Sequence, residues 1–145
     1  MTTQPSKKRA HEDLEEVDNL KQLCLTEPGG YNTVYTVSPN GHAHDIEQMR
    51  DKDGKLCMEC EWKDGKRHGT EKRWYANGNL RMQFEWLNGE QHGIEQRRDE
   101  DNNLRTQREY AFGDRHGFEK HWDETGKLVE LRKWVKGVYT PPARF

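Results

Sequence analysis

At 145 residues the chain is long enough for one ordinary domain, yet only 30% of it is hydrophobic against 34% charged. It cannot fill the thick apolar core of a two-layer globule. A formal charge of −2 sets up no strong field for nucleic acid or anionic lipid, which speaks against both as partners.

Met1 to Ala10 are small, polar and basic (Lys7, Lys8, Arg9), the composition of a disordered tail over residues 1–10. From His11 to Leu25 the residues Leu14, Val17, Leu20, Leu23 and Cys24 recur at spacings of three and four, with acids early and Lys21 late. This pattern predicts an amphipathic helix over 11–27, ended by Pro28-Gly29-Gly30 and placed to cap the open end of a repeat array or, as the alternative, to dock a partner in a groove. The five tryptophans argue against disorder beyond that point. There is no apolar run of about 18 residues and no signal-peptide core, so nothing is expected to enter a membrane. Three cysteines, an odd number, fit a reducing, intracellular and cytoplasmic setting.

Residues 30–137 repeat themselves. A shift of 24 residues lays Trp62 on Trp86, Tyr110 and Trp134, and Gly65 on Gly89, Gly113 and Gly137; it also aligns His68-Gly69 with His92-Gly93 and His116-Gly117. A degraded copy containing His44 and Glu47 precedes them, giving about 4.5 repeats. Within a unit the period is two: Leu80, Met82, Phe84 and Trp86 alternate with Arg81, Gln83 and Glu85. That is the signature of a strand with one dry and one wet face. Asp53-Gly54, Asp64-Gly65, Asn77-Gly78 and Asn88-Gly89 predict type I′ hairpin turns. The glycines at 69, 93 and 117 predict a bulge or a close backbone approach. The fold class expected is all-β: an elongated single-layer antiparallel meander of about nine strands with an N-terminal amphipathic helix. Residues 138–145 are a tail whose Pro141-Pro142 ends pairing and seals the last edge.

The runs Trp74-Tyr75-Ala76-Asn77-Gly78-Asn79-Leu80 and Trp86-Leu87-Asn88-Gly89-Glu90-Gln91-His92-Gly93 resemble the MORN repeat. They are most similar to the variant found in bacterial antitoxins of the YwqK family and in large DNA viruses of amoebae. The resemblance implies hairpin arrays that bind partners or act as spacers, sometimes at membranes, and supplies no catalytic residues. It implies a protein-interaction or structural scaffold module, with a virion or other assembly component and an antitoxin-like inhibitor as the alternatives.

The residues themselves point the same way. Nothing pairs a nucleophile with a base, forms a phosphate loop or sets two carboxylates in a pocket, so no enzyme, cofactor or small-molecule substrate is predicted. Four histidines at 44, 68, 92 and 116 lie two strands apart, about 10 Å, too far to share a metal; hydrogen bonding beside turns suits them better. Cys57 and Cys60 point to opposite faces of a strand, and a zinc site joining them to His42 and His44 is the weaker alternative. The residues expected to contact another protein or a second copy are Trp74, Trp86, Tyr110, Trp122 and Trp134, with Arg98 and Arg108, because a single sheet leaves its aromatic side uncovered. The rows Glu61, Glu85, Glu109 and Glu71, Glu95, Glu119 are expected together on the opposite, solvated face.

Overall fold

The structure, a computed structural model, describes residues 16–17, 20–26, 28–37 and 39–142. These form one open antiparallel sheet of thirteen strands in sequential order, and no helix. The first four strands are β1 (Glu16–Val17), β2 (Leu20–Thr26), β3 (Asn32–Val37) and β4 (Ala43–Arg50). The units proper supply β5 (Leu56–Lys63), β6 (Lys66–Trp74), β7 (Leu80–Leu87), β8 (Glu90–Gln91), β9 (Gly93–Arg98), β10 (Leu104–Ala111), β11 (Asp114–Trp122) and β12 (Leu128–Val135). The last strand is β13 (Val138–Thr140), and β8 pairs only β7. The strands beyond the nine expected are β1, β2, β13 and the short β8.

Part of the predicted helix is corrected. Leu20–Thr26 is a strand, paired with β3 from Lys21↔Val37 to Thr26↔Asn32. The apolar spacing of so short a stretch fits either element, and the neighbouring β-branched strand Asn32–Val37 offers an edge of unpaired backbone that a strand satisfies. Glu16–Val17 is likewise a strand, paired with β2; the rest of the helix, at 11–15, 18–19 and 27, lies outside the described residues, as does the tail over 1–10. The C-terminal segment is likewise not all tail, since Val138–Thr140 pairs with Lys133–Val135.

Two turn types alternate. Asp64-Gly65, Asn88-Gly89, Phe112-Gly113 and Lys136-Gly137 have positive φ at both residues, as a type I′ turn requires. The other set is different from the prediction. At Asp53-Gly54 and Asn77-Gly78 only the glycine is left-handed. There the N–H of Gly54 donates to the Asp51 carbonyl and that of Gly78 to the Tyr75 carbonyl. The strands are one residue further apart at these turns, so a type I turn followed by a left-handed residue closes them.

Successive units are latched together at the type I′ turns. The N–H groups of Gly89, Gly113 and Gly137 donate to the carbonyls of Arg67, Gln91 and Arg115 at 2.8, 2.9 and 2.9 Å. The residue before each glycine, Asn88, Phe112 or Lys136, donates its N–H to the Nδ1 of His68, His92 or His116 at 3.4, 3.4 and 3.3 Å. Three of the four periodic histidines thus accept hydrogen bonds from the next unit's turn through Nδ1, whereas the buried Nδ1 of His44 has no hydrogen-bond partner among the described residues.

The glycines at 69, 93 and 117, with φ of 89, 85 and 107°, sit at bulges opposite Glu61, Glu85 and Glu109. A Cβ there would collide with that glutamate's carboxylate. Glu85 and Glu109 use the space to accept the N–H of Ile94 and Phe118 at 2.9 and 3.0 Å.

Candidate functional site

The bulge at each of these glycines shifts the side-chain alternation by one residue. It brings Glu71 opposite Cys60 and Glu119 opposite Arg108. The glutamates therefore lie on the aromatic side of the sheet, which corrects the expectation of a solvated row on the opposite face. Glu71, Glu95 and Glu119 are 1, 2 and 2% exposed, whereas the buried hydrophobic residues among those described are only Val37, Cys60 and Phe84. The innermost line of the sheet is thus polar, running across the strands as Glu47, Cys60, Glu71, Phe84, Glu95, Arg108, Glu119 and Arg132.

Each buried carboxylate is compensated, as it must be, since an unpaired buried charge costs several kcal/mol. Arg73 Nη2 meets Glu71 at 2.7 Å, with Arg67 at 3.6 Å. Arg108 joins two units, its Nη1 to Glu95 at 3.1 Å and its Nε to Glu119 at 2.9 Å. Glu119 also accepts from Trp134 Nε1 at 2.8 Å and contacts His121 Nε2 at 3.0 Å. Burial opposes ionisation of Glu119, but the hydrogen bonds from Arg108, His121 and Trp134 outweigh it and bring its carboxyl down to about 2.

Glu47, at the same position of the first unit, has no such cations. Ala43 and Met49 stand where Arg67 and Arg73 stand one unit later. Burial pushes its pKa up, countered in part by the Trp62 Nε1 hydrogen bond at 2.8 Å and the charge of Arg67.

One flank of this line is an aromatic and cationic ladder. Register pairs Trp62 with Arg67, Trp86 with Gln91, Tyr110 with Arg115 and Trp134 with Tyr139. The Arg67 guanidinium lies 5.8 Å from the Trp62 ring and 5.0 Å from Trp86; Arg115 lies 4.8 Å from Trp134, and Tyr139 packs on Trp134 at 5.7 Å. These are cation–π spacings. The flat guanidinium groups fill the gaps that single-layer packing leaves between the rings.

The predicted contact residues divide accordingly. Trp86, Tyr110 and Trp134 belong to the ladder, all half-buried. Arg108 lies in the inner line, tied to two glutamates. Trp74, Arg98 and Trp122 occupy the same place in successive units at the far ends of their strands, beside the longer turns. Arg98 donates to the Asn102 carbonyl at 3.1 Å, and Trp122 lines an open depression of about 630 Å³ with Arg105, Asp123, Glu124 and Thr125. The inner carboxylate line was legible only through the strict recurrence of glutamate at 47, 71, 95 and 119, a more regular signal than the aromatics themselves.

The zinc alternative finds no geometric support. Cys60 is buried and its thiol is pushed up to about 12 by burial and the nearby Glu71 carboxylate. Among the described residues no three His, Cys, Asp or Glu side chains are grouped to hold a metal, and no helix is long and apolar enough to cross a membrane.

Residues 67–88, the span from the start of β6 to the turn after β7, match the family model described as a MORN repeat variant. The chain therefore carries a MORN-type repeat at this point, and the 24-residue period extends the same hairpin on both sides of it. MORN repeats are generally modules of protein or membrane interaction. No curated protein matches the chain.

Proposed function

We propose that the protein is a non-enzymatic interaction or scaffold module. Its aromatic and arginine face engages another protein through Trp74, Trp86, Arg98, Tyr110, Trp122 and Trp134, with Arg108 holding the sheet beneath them. The observation that carries this reading is the pairing of rings with guanidinium groups along one side of a sheet that no second layer among the described residues covers. Such a surface is amphipathic, rigid and enriched in the residue types that dominate protein interfaces. A cytoplasmic location goes with the same reading. Within it, an antitoxin-like inhibitor or a component of a virion or other assembly are finer alternatives, which differ in the partner.

The test is affinity capture with the full chain and with two variants, followed by mass spectrometry and a binding titration of the captured partner. Trp122→Ala and Arg98→Ala, at the rim of the face, should each weaken binding by about tenfold or more while leaving the urea midpoint within about 0.5 kcal/mol of wild type. Undiminished binding by both variants would refute the assignment of this face. A neighbouring toxin as the captured partner would favour the inhibitor reading, and a particle protein the assembly reading.

A further inference from the structure

The repeat runs out unevenly at its C-terminal end. In the complete units, the strand after each type I′ turn supplies an acid, any residue, then a base: Glu71-Lys72-Arg73, Glu95-Gln96-Arg97 and Glu119-Lys120-His121. Register sets Glu71 opposite Cys60 and Arg73 opposite Met58, and likewise Glu119 opposite Arg108 and His121 opposite Thr106. In the last unit β13 reaches only Lys133–Val135 and stops at Thr140. No described strand pairs with Glu130-Leu131-Arg132 on that side.

The glycine bulge of the interior units is missing here. Pro141 stands 24 residues after Gly117, at the position where the bulge needs a φ near +90°, as at Gly69, Gly93 and Gly117. Proline holds φ at about −65°, so this bulge cannot form, and the described pairing of β13 with β12 ends at Thr140. The apolar side chains at this edge are correspondingly uncovered. Leu128, Val129 and Leu131 are 43, 59 and 54% exposed. Among the described residues Arg132 pairs with its same-strand neighbour Glu130, at 2.6 Å, whereas Arg108 one unit earlier spans two glutamates on neighbouring strands.

We infer that the Glu130-Leu131-Arg132 edge of β12 takes up an extended segment of a partner protein carrying acid, any residue and base in that order. The segment runs antiparallel to β12, its acid facing Arg132 and its base facing Glu130, as Glu119 and His121 of β11 do across the other edge of β12. Main-chain hydrogen bonds supply the affinity of such strand addition. The order of charges supplies the direction, because the reverse order sets like charges opposite each other. This site is separate from the aromatic face and stands or falls independently of it.

The probe is a synthetic, end-blocked peptide with the sequence Gly93-Ile94-Glu95-Gln96-Arg97-Arg98, titrated into the ¹⁵N-labelled full chain up to about 1 mM, where weak strand addition registers. Amide shifts confined to Val129–Lys133 are expected. Exchanging the Glu and the first Arg of the peptide, or Arg132→Gln in the protein, should weaken binding roughly three- to tenfold. Arg132 is an exposed edge residue, and an otherwise unchanged amide spectrum of Arg132→Gln shows that the fold is kept. The inference is overturned by no shift at these amides, by shifts centred on the aromatic ladder, or by equal binding of the exchanged peptide. It is also overturned by concentration-dependent self-association through these amides that the peptide does not compete, which gives the edge to a second copy.

Discussion

The packing of a carboxylate over each bulge glycine makes Gly93→Ala an informative perturbation. At φ 85° an alanine is strained, by roughly 1–2 kcal/mol. Its Cβ would also evict the Glu85 carboxylate, which accepts the Ile94 N–H at 2.9 Å, and losing that bond costs about another 1–3 kcal/mol. Gly78 serves as the control, because its φ is 88° but nothing lies within 4 Å of an added Cβ. Gly78→Ala should cost only the backbone part. In a Glu85→Ala background the carboxylate is already gone, and Gly93→Ala should fall towards the cost of Gly78→Ala, leaving the tight contact with the Cβ of residue 85 at 3.2 Å. Urea unfolding followed by tryptophan fluorescence measures all four members of the cycle, with unchanged m-values as the check that each unfolds alike. Equal costs for Gly93→Ala and Gly78→Ala, or a coupling energy near zero, would refute the claim that glycine is required here by the carboxylate.

The two ends of the inner line should respond to pH in opposite ways. The Glu119 carboxyl is held well below its ordinary 4.5, so its contribution is fully present above about pH 4.5 and is lost as the pH falls towards about 2. Urea midpoints measured between about pH 5 and 3 should fall less steeply for Glu119→Gln than for wild type. Burial raises the Glu47 pKa instead, so its ionisation disfavours folding near neutrality and Glu47→Gln should be neutral to stabilising at pH 7; a loss above about 1 kcal/mol would contradict this. His92→Ala removes the acceptor of the Phe112 N–H and the ring packed on Phe112 at 4.9 Å. It should cost about 1 kcal/mol and speed hydrogen exchange at Phe112, while His92→Asn, which keeps an acceptor, should cost less.

How far the sequence could be read depended on whether a property was local. Strand identity at Leu80–Leu87 follows from alternation within eight residues, and the type I′ turn at Asn88-Gly89 from two. The glycines at 69, 93 and 117 were legible as bulges or close approaches. What a bulge does to parity was not, because the face that Glu71 joins is fixed by its register with Cys60 on another strand. Once the parity shifts, the same glutamates pass from a solvated row to the most buried line of the sheet. Leu20–Thr26 escaped for the related reason that its strand is decided by the neighbouring β3 edge and not by its own spacing. The type I turn at Asp53-Gly54 escaped because an Asp-Gly pair fits either geometry, and strand separation chooses between them.

A sheet without a second layer has to bury something from within its own face, and long charged side chains suit this better than short apolar ones. Arg67, Arg108 and Arg115 lie flat across neighbouring strands, filling space with their stems and satisfying buried glutamates with their heads. The arrangement is self-consistent only where every unit has neighbours on both sides. At the N-terminal end Glu47 lacks the arginines that serve Glu71; at the C-terminal end Arg132 lacks the outer glutamate that Arg108 enjoys. The pattern thins at its two ends, to an acid with Ala43 and Met49 in place of its arginines first and a base paired within its own strand last. Strand addition at the C-terminal end therefore calls for an acid in the incoming segment, a requirement fixed by where the repeat stops and not by any one unit's sequence.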